Sequence, residues 1–375
     1  MNASVAVVYL ARSADGTDAF RRFAESYREH DAGLQHDLVV IYKGFESSAA
    51  LEAGRAPFDG LPHLGIELDD SGFDIGSYWQ AAQRLAQRHV VFLNTHSTIA
   101  SANWLKHLHH YGSQEGCGIA GAMGSYESLQ ETIPYLEAVI AASMTATGQQ
   151  ARQLAKYFDF LLPRFRPDWY AAAPKRQGLA DRARAFVRAI VPRQQPNPRA
   201  AFGGLRGSAL IWPGAPELDI AAFPPFPNPH VRSNGFMVSR ERFVGLEGMD
   251  FRSKADANLF ESGRDSITAQ FRRSGLAAIV VGADGQAYSA EDWPKSRTFR
   301  LGDQGNLLIA DNHTRAFVQM SEPARAAHAL MTWGEEGAAG ADVPRLGFRF
   351  GQGPLQQQAA AGGAAAIMPD REGKR

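Results

Sequence analysis

Between Phe73 and Ser97 a helical pattern runs straight into a short apolar strand that stops at four small polar residues, and this pairing constrains the fold more than any other feature. Tyr78, Trp79, Ala82, Leu85 and Ala86 recur at spacings of three and four, so one helix face is apolar and needs a sheet to cover it. The run His89-Val90-Val91-Phe92-Leu93 has no polar alternation, the mark of a strand covered on both faces. Such strands belong to mainly parallel sheets, whose ligands gather outside the carboxyl ends. Asn94-Thr95-His96-Ser97 is therefore the first place to look for chemistry.

The flanking chain keeps the same rhythm. Val5 to Leu10 reads as a buried strand, about Thr17 to Glu29 as a helix, Asp37 to Tyr42 and Leu64 to Leu68 as strands. A helix from about Ser101 to Tyr111 and a strand from Gly118 to Ala122 follow. Sequence from Leu129 to about Tyr157 is helical and alanine-rich. Leu161 to Arg199 is punctuated by proline and carries nine basic residues, among them Arg164, Arg182 and Arg193, against Asp168 and Asp181. Residues 127–200 thus read as a helical, basic insertion, whose charge fits either a solvated face or a membrane-surface contact. Strand-like Gly235 to Val238, one helix over about Ala255 to Ser274, and strands at Leu276 to Val281 and Leu307 to Ala310 close the pattern. From 335 to 375 Gly, Ala and Gln dominate, and the expectation is a disordered tail.

The 39 basic and 39 acidic residues cancel, so no overall field draws the chain to nucleic acid. A single cysteine, Cys117, excludes an intrachain disulfide and reads as a buried structural thiol. The amino terminus lacks the basic and apolar regions of a secretory signal, and no apolar run approaches the ~20 residues that span a bilayer. The expected location is the cytoplasm, with peripheral contact at the inner face of the membrane through 161–199 as an option. No phosphate-binding Gly-rich loop, nucleophile elbow, zinc-protease helix or kinase signature is present. His107, His109 and His110 lack the i, i+4 spacing of helical metal ligands. Glu261 and Asp265 are four apart, so on a continuous helix they share one face.

The order of a strand, an arginine-bearing loop, two further strands, an Asp-x-Gly helix, an apolar strand and a polar turn resembles the GT-A nucleotide-sugar glycosyltransferases. Asp74-Ile75-Gly76 followed by Phe92-Leu93-Asn94 is similar, more narrowly, to the rhamnan-synthesis glycosyltransferases of bacterial surface polysaccharides, and Phe260 to Thr268, Val280 to Gly282, Gln304 to Thr314 and Thr332 to Gly334 look like uncharacterised relatives of that group. The resemblance covers roughly 4–130 and 200–334. It implies one GT-A-like α/β domain over 4–334, a mainly parallel sheet covered by helices, and transfer of a sugar from a nucleoside diphosphate sugar to a saccharide or lipid-linked saccharide. In that family the apolar strand ends in Asp-x-Asp, which holds a divalent metal on the donor diphosphate. Here Asn94-Thr95-His96 stands in its place. Either Asn94 and His96 coordinate a Mg or Mn ion through neutral ligands, or Arg12 and Lys43 neutralise the diphosphate without one.

On the same footing Arg12, Lys43, Asp74, Gly76, Asn94 and His96 are donor-binding candidates, and Ser233 and Asn234 acceptor-binding candidates. The family's base lies at the start of a late helix, which points to Glu261. Phe260 and Gly263 beside it suggest a desolvated carboxylate of raised basicity, with Asp265 orienting substrate. The missing acid pair keeps a non-catalytic nucleotide- or carbohydrate-binding protein in view, and the basic insertion keeps an assembly protein that recruits a partner.

Overall fold

The computed structural model describes residues 3–162 and 218–350. Its elements are the strands β1 (Val5–Arg12), β2 (Asp37–Lys43), β3 (His63–Leu68), β4 (His89–Leu93), β5 (Thr98–Ile99), β6 (Cys117–Gly121), β7 (Gly124–Ser125), β8 (His230–Val231), β9 (Phe236–Ser239), β10 (Ala277–Val281), β11 (Ala287–Tyr288) and β12 (Ile309–Ala310). The α-helices are α1 (Thr17–Glu29), α2 (Ser48–Arg55), α3 (Phe73–Arg84), α4 (Trp104–Gly112), α5 (Leu129–Thr145), α6 (Gly148–Phe158), α7 (Arg240–Val244), α8 (Lys254–Ser262), α9 (Ile267–Arg273), α10 (Asn312–Gln319) and α11 (Glu322–Trp333).

The chain is mixed α/β, built on an 8-stranded sheet in the order β11-β10-β6-β9-β4-β1-β2-β3. Pairing is parallel from β4 through β1 and β2 to β3, and between β6 and β10. β9 runs antiparallel between β4 and β6, with Phe92↔Phe236 and Gly121↔Phe236 in register. The carboxyl ends of β1, β2, β3, β4, β6 and β10 and the amino end of β9 therefore share one edge.

Strand periodicity divides the core in two. Along β1, Ala6, Val8 and Leu10 enter one apolar cluster while Val5, Val7, Tyr9 and Ala11 enter the other, as side chains alternating across a doubly covered sheet must. α3 covers the first face, with Tyr78 stacked on Phe92 at 4.7 Å; α1 and α4 cover the second, where Tyr9 stacks on Phe23 at 3.7 Å. Cys117 is buried at the start of β6, and burial pushes its thiol up to about 12. α5, α6 and α11 form a third cluster around Tyr135, Phe158 and Leu330.

Two expectations are corrected. Residues 335–350 are not a disordered tail: Ala338, Val343 and Phe350 are buried in the third cluster, and Tyr135 Oη donates to Pro344 O at 2.7 Å. α5 presents an apolar face ready to receive them, so a few spaced apolar side chains suffice. The late helix is also two helices. Gly263 ends α8 by donating from its backbone N–H to Leu259 O at 2.7 Å, and Ser266 caps α9. A Cβ at Gly263 would lie 2.5 Å from Leu259 O, so only glycine permits this break. Most of the basic stretch 161–199, and residues 351–375, lie outside the described residues. Among the described residues no helix is long and apolar enough to cross a membrane.

Candidate functional site

The polar turn after β4 stands at the carboxyl edge, but its side chains are largely committed to holding it. Asn94 Oδ1 accepts from His96 N at 3.0 Å and Ser97 Oγ at 3.3 Å. Asn234, just before β9, accepts on Oδ1 from Asn94 N at 2.9 Å and Ser97 Oγ at 2.6 Å, so the two central strands are locked together at the edge. Tyr9 Oη and Arg315 Nη2 donate to Thr95 O and His96 O. Asn234 Nδ2 is left buried without a partner. His96 Nε2 lies 3.7 Å from Asp15 Oδ1. As metal ligands Asn94 and His96 fit poorly, because the only oxygen of the Asn94 side chain is already spent inside the turn. No group of three or more His, Cys, Asp or Glu able to hold a metal occurs among the described residues.

The donor-side cations are committed as well. Arg12, at the end of β1, makes a bidentate pair with Asp70, both contacts at 2.7 Å. Lys43, at the end of β2, is 1% exposed, and its Nζ donates to Ser71 O (2.8 Å), Phe73 O (2.6 Å) and Ser77 Oγ (3.0 Å). An ammonium has three donors, so Lys43 clamps the start of α3 and has none left for a diphosphate. Gly76 packs on Phe251, where a Cβ would meet the ring at 3.3 Å; its role is close approach of α3.

Asp74, in the first turn of α3, has no side-chain hydrogen bond or ion pair with a described residue. Burial pushes its carboxyl above the usual range, against the opposing charges of Lys254 and Lys43. Lys254, at the start of α8, also acts on Glu261 at the end of that helix. Glu261 pairs with Arg232 Nη1 and accepts from Ser233 Oγ, and 15% of its side chain is exposed. Burial taken alone would raise its pKa, but Arg232, His230, the Ser233 hydrogen bond and Lys254 together outweigh it and hold the carboxyl at about 2. The expected gain in basicity is thus reversed by the arginine one residue before Ser233. Asp265 is not part of the site: it lies beyond the Gly263 break, pairs with Arg273 at 3.0 Å, and has 85% of its side chain in solvent.

From Glu261 a line of charged groups continues toward α11. Arg232 and Arg300 lie over the Phe299 ring at 5.3 and 4.9 Å from its centroid. Arg300 Nη1 meets Glu127 Oε2 at 3.2 Å and Thr332 Oγ1 at 3.4 Å. Its backbone is left-handed, φ 46°, held by Gln304, which accepts from Arg300 N and donates to Thr314 O. His313, in the first turn of α10, feels Arg232, Arg300, Asp311 and Glu261; His328 of α11 feels Arg300 and His313. Sequence reading singled out Asp74, Ser233, Asn234 and Glu261 but missed Arg232, Lys254, Arg300 and His328. Arg232 alone had a signal, its place beside the Ser-Asn-Gly turn.

No family model matches the chain, and no curated protein matches it. Among solved structures it overlaps the crystal structure of S. aureus TarS 1–349, a glycosyltransferase, with a TM-score of 0.26 and 13% identity, over 31% of this chain and 34% of that one. The chain thus spans about a third of that structure, and an overlap so slight carries no argument.

Proposed function

We propose that this protein transfers a sugar from a nucleoside diphosphate sugar to a saccharide acceptor, and that Asp74 takes the acceptor's proton. The observation that carries the reading is the contrast between two carboxylates that both feel the charge of Lys254. Asp74 is desolvated and raised, while Glu261 is ion-paired and held at about 2. Environments that drive two acids apart divide the labour between them. A proton acceptor works best with a pKa near the working pH, which favours Asp74 over Glu261. As the acceptor oxygen attacks the anomeric carbon, its proton passes to an Asp74 oxygen and the bond to the nucleoside diphosphate breaks. Glu261 stays ionised and holds Arg232 and Ser233 for the acceptor hydroxyls. No step is routed through a metal. The resemblance carried by Asp74 to Asn94 extends the reading to bacterial surface polysaccharides and a lipid-linked acceptor.

Release of nucleoside diphosphate from a panel of nucleotide sugars, with and without saccharide acceptors, tests this. Asp74→Asn is expected to lower turnover at least about a hundredfold while donor affinity by calorimetry stays within a few-fold. The committed state of Arg12 and Lys43 favours a second reading, a nucleotide- or carbohydrate-binding protein without turnover. Donor binding with no release under any acceptor would select it.

A further inference from the structure

We infer that Arg300, His313 and His328, with the free edge of Arg232, form a recognition site for a phosphate-type oxyanion on the substrate. The four side chains come from separate segments: the turn after β8, the loop before α10, the first turn of α10, and α11. Arg232 and Arg300 share the Phe299 ring, Gln304 ties the Arg300 backbone to Thr314 beside His313, and Arg300 reaches Thr332, one turn of α11 from His328. Among the described residues Arg300 uses only Nη1, on Glu127 and Thr332, and Arg232 only Nη1, on Glu261. The side chain of His313 makes no hydrogen bond to a described residue. His328 is the most telling of the four: both ring nitrogens are buried and neither has a partner. A buried imidazole with two orphaned nitrogens costs stability, and native folds keep such groups for a reason. The left-handed backbone at Arg300 is a second local cost at the same spot.

The unspent groups select the ligand. The free Nε and Nη2 of each guanidinium form a planar fork suited to carboxylate or phosphate oxygens. Two forks and two imidazoles exceed what the two oxygens of a carboxylate can take, and they suit the three terminal oxygens of a phosphate. Glu127 and Glu261 face the site too, but each already neutralises one arginine, and the buried Asp311 is the cap of α10. Burial and the arginines hold His313 and His328 below the ordinary histidine range. An arriving oxyanion offsets the arginines and favours the protonated rings, so binding takes up protons and tightens as the pH falls from 8 to 6.

This deepens the transfer reading and rests on it only for the rest of the ligand, a nucleoside diphosphate donor or a lipid phosphate acceptor. The full chain is titrated calorimetrically with sodium pyrophosphate at pH 6 and pH 8, then with a nucleoside diphosphate and with vesicles bearing a polyprenyl phosphate. Pyrophosphate is expected to bind more tightly at pH 6. His328→Leu is expected to weaken it at least tenfold while melting at or above the wild-type temperature, because an orphaned polar group has been replaced by an apolar one. Arg300→Lys, which keeps the charge and loses the fork, is expected to weaken it similarly. Loss of nucleoside diphosphate binding in His328→Leu marks the donor as the source, and loss of vesicle binding marks the acceptor. No binding of any of the three ligands, unchanged binding in His328→Leu, or a His328→Leu chain less stable than wild type overturns the proposal. Sugar turnover that survives such a failure leaves the transfer reading standing, and pyrophosphate binding without turnover sinks the transfer reading alone.

Discussion

Replacing Glu261 by Gln separates a carboxylate that holds the site together from one that does the chemistry. The side chain is 15% exposed and its carboxyl falls from an ordinary 4.5 to about 2 in the folded chain. Each pH unit between those values is worth about 1.4 kcal/mol, so the ionised form contributes about 3 kcal/mol to folding at pH 7. Because the folded value lies below the unfolded one, that contribution is complete above about pH 4.5 and fades as the pH drops toward 2. A broken buried pair gives a similar figure, about 3 to 5 kcal/mol, since Arg232 keeps its charge and loses its counter-ion. Urea unfolding at pH 7 is therefore expected to show Glu261→Gln destabilised by about 3 kcal/mol, the gap closing by about 2 kcal/mol at pH 3 as the wild-type carboxylate loses its advantage. Adding Arg232→Met to Glu261→Gln is expected to recover part of the loss, since the uncompensated charge is gone. A gap that does not change with pH, or a Glu261→Gln chain as stable as wild type, would refute the ion-pair account.

Lys43→Met removes the donor to Ser71 O and Ser77 Oγ and one of the two side-chain donors to Phe73 O, so a loss of about 2 to 4 kcal/mol in urea unfolding is expected; unchanged stability with lost donor affinity would instead make Lys43 a phosphate ligand. Asp265→Asn removes an exposed charge paired with an exposed arginine, and both turnover and stability (within about 0.5 kcal/mol) should match wild type. Burial, with His109 5.6 Å away, holds His89 at about 4, below its ordinary 6.5, so the neutral ring stabilises the fold fully above pH 6.5 and less as the pH falls to 4. His89→Phe should flatten the loss of stability across that window, and an unaltered slope would show that another group titrates there.

The frame was legible because two simple periods govern it. Val5 to Leu10 and His89 to Leu93 are apolar on both faces and fall in the middle of the sheet, and the period of α3 put Tyr78 and Ala82 against it. What escaped reading depended on contacts that local pattern does not encode. The break at Gly263 sits inside a helical repeat that the spacing of Phe260 and Ile267 continues, and it is forced by a backbone hydrogen bond with no room for a side chain. Residues 335–350 look too poor in apolar side chains to fold, and they do so because α5 and α11 supply the other half of the core. The same limit applies to the site. Asp74, Asn234 and Glu261 stand near motifs and could be nominated, whereas Arg300 reaches α11 at Thr332 only through a loop with left-handed residues at Arg297, Arg300 and Gln304.

That loop also changes how the helical segment after β7 must be understood. Glu127, the counter-ion of Arg300, stands immediately before Ser128, the residue that caps α5. Tyr126 N donates to Thr332 O at 3.1 Å, and Trp333 Nε1 donates to Phe299 O at 2.7 Å. The root of α5, the end of α11 and the Phe299–Arg300 pair are thus one hydrogen-bonded unit, with Tyr126 and Trp333 packed edge to face at 5.0 Å inside it. A shift of α5 moves Glu127, and with it the carboxylate that pairs with Arg300. Because a buried guanidinium cannot go without a counter-ion, such a shift carries Arg300 along or frees it for another anion. The start of the segment read from sequence as an insertion is therefore tied to the Phe299–Arg300 loop, and its attachment at Glu127 couples α5 to the position of Arg300.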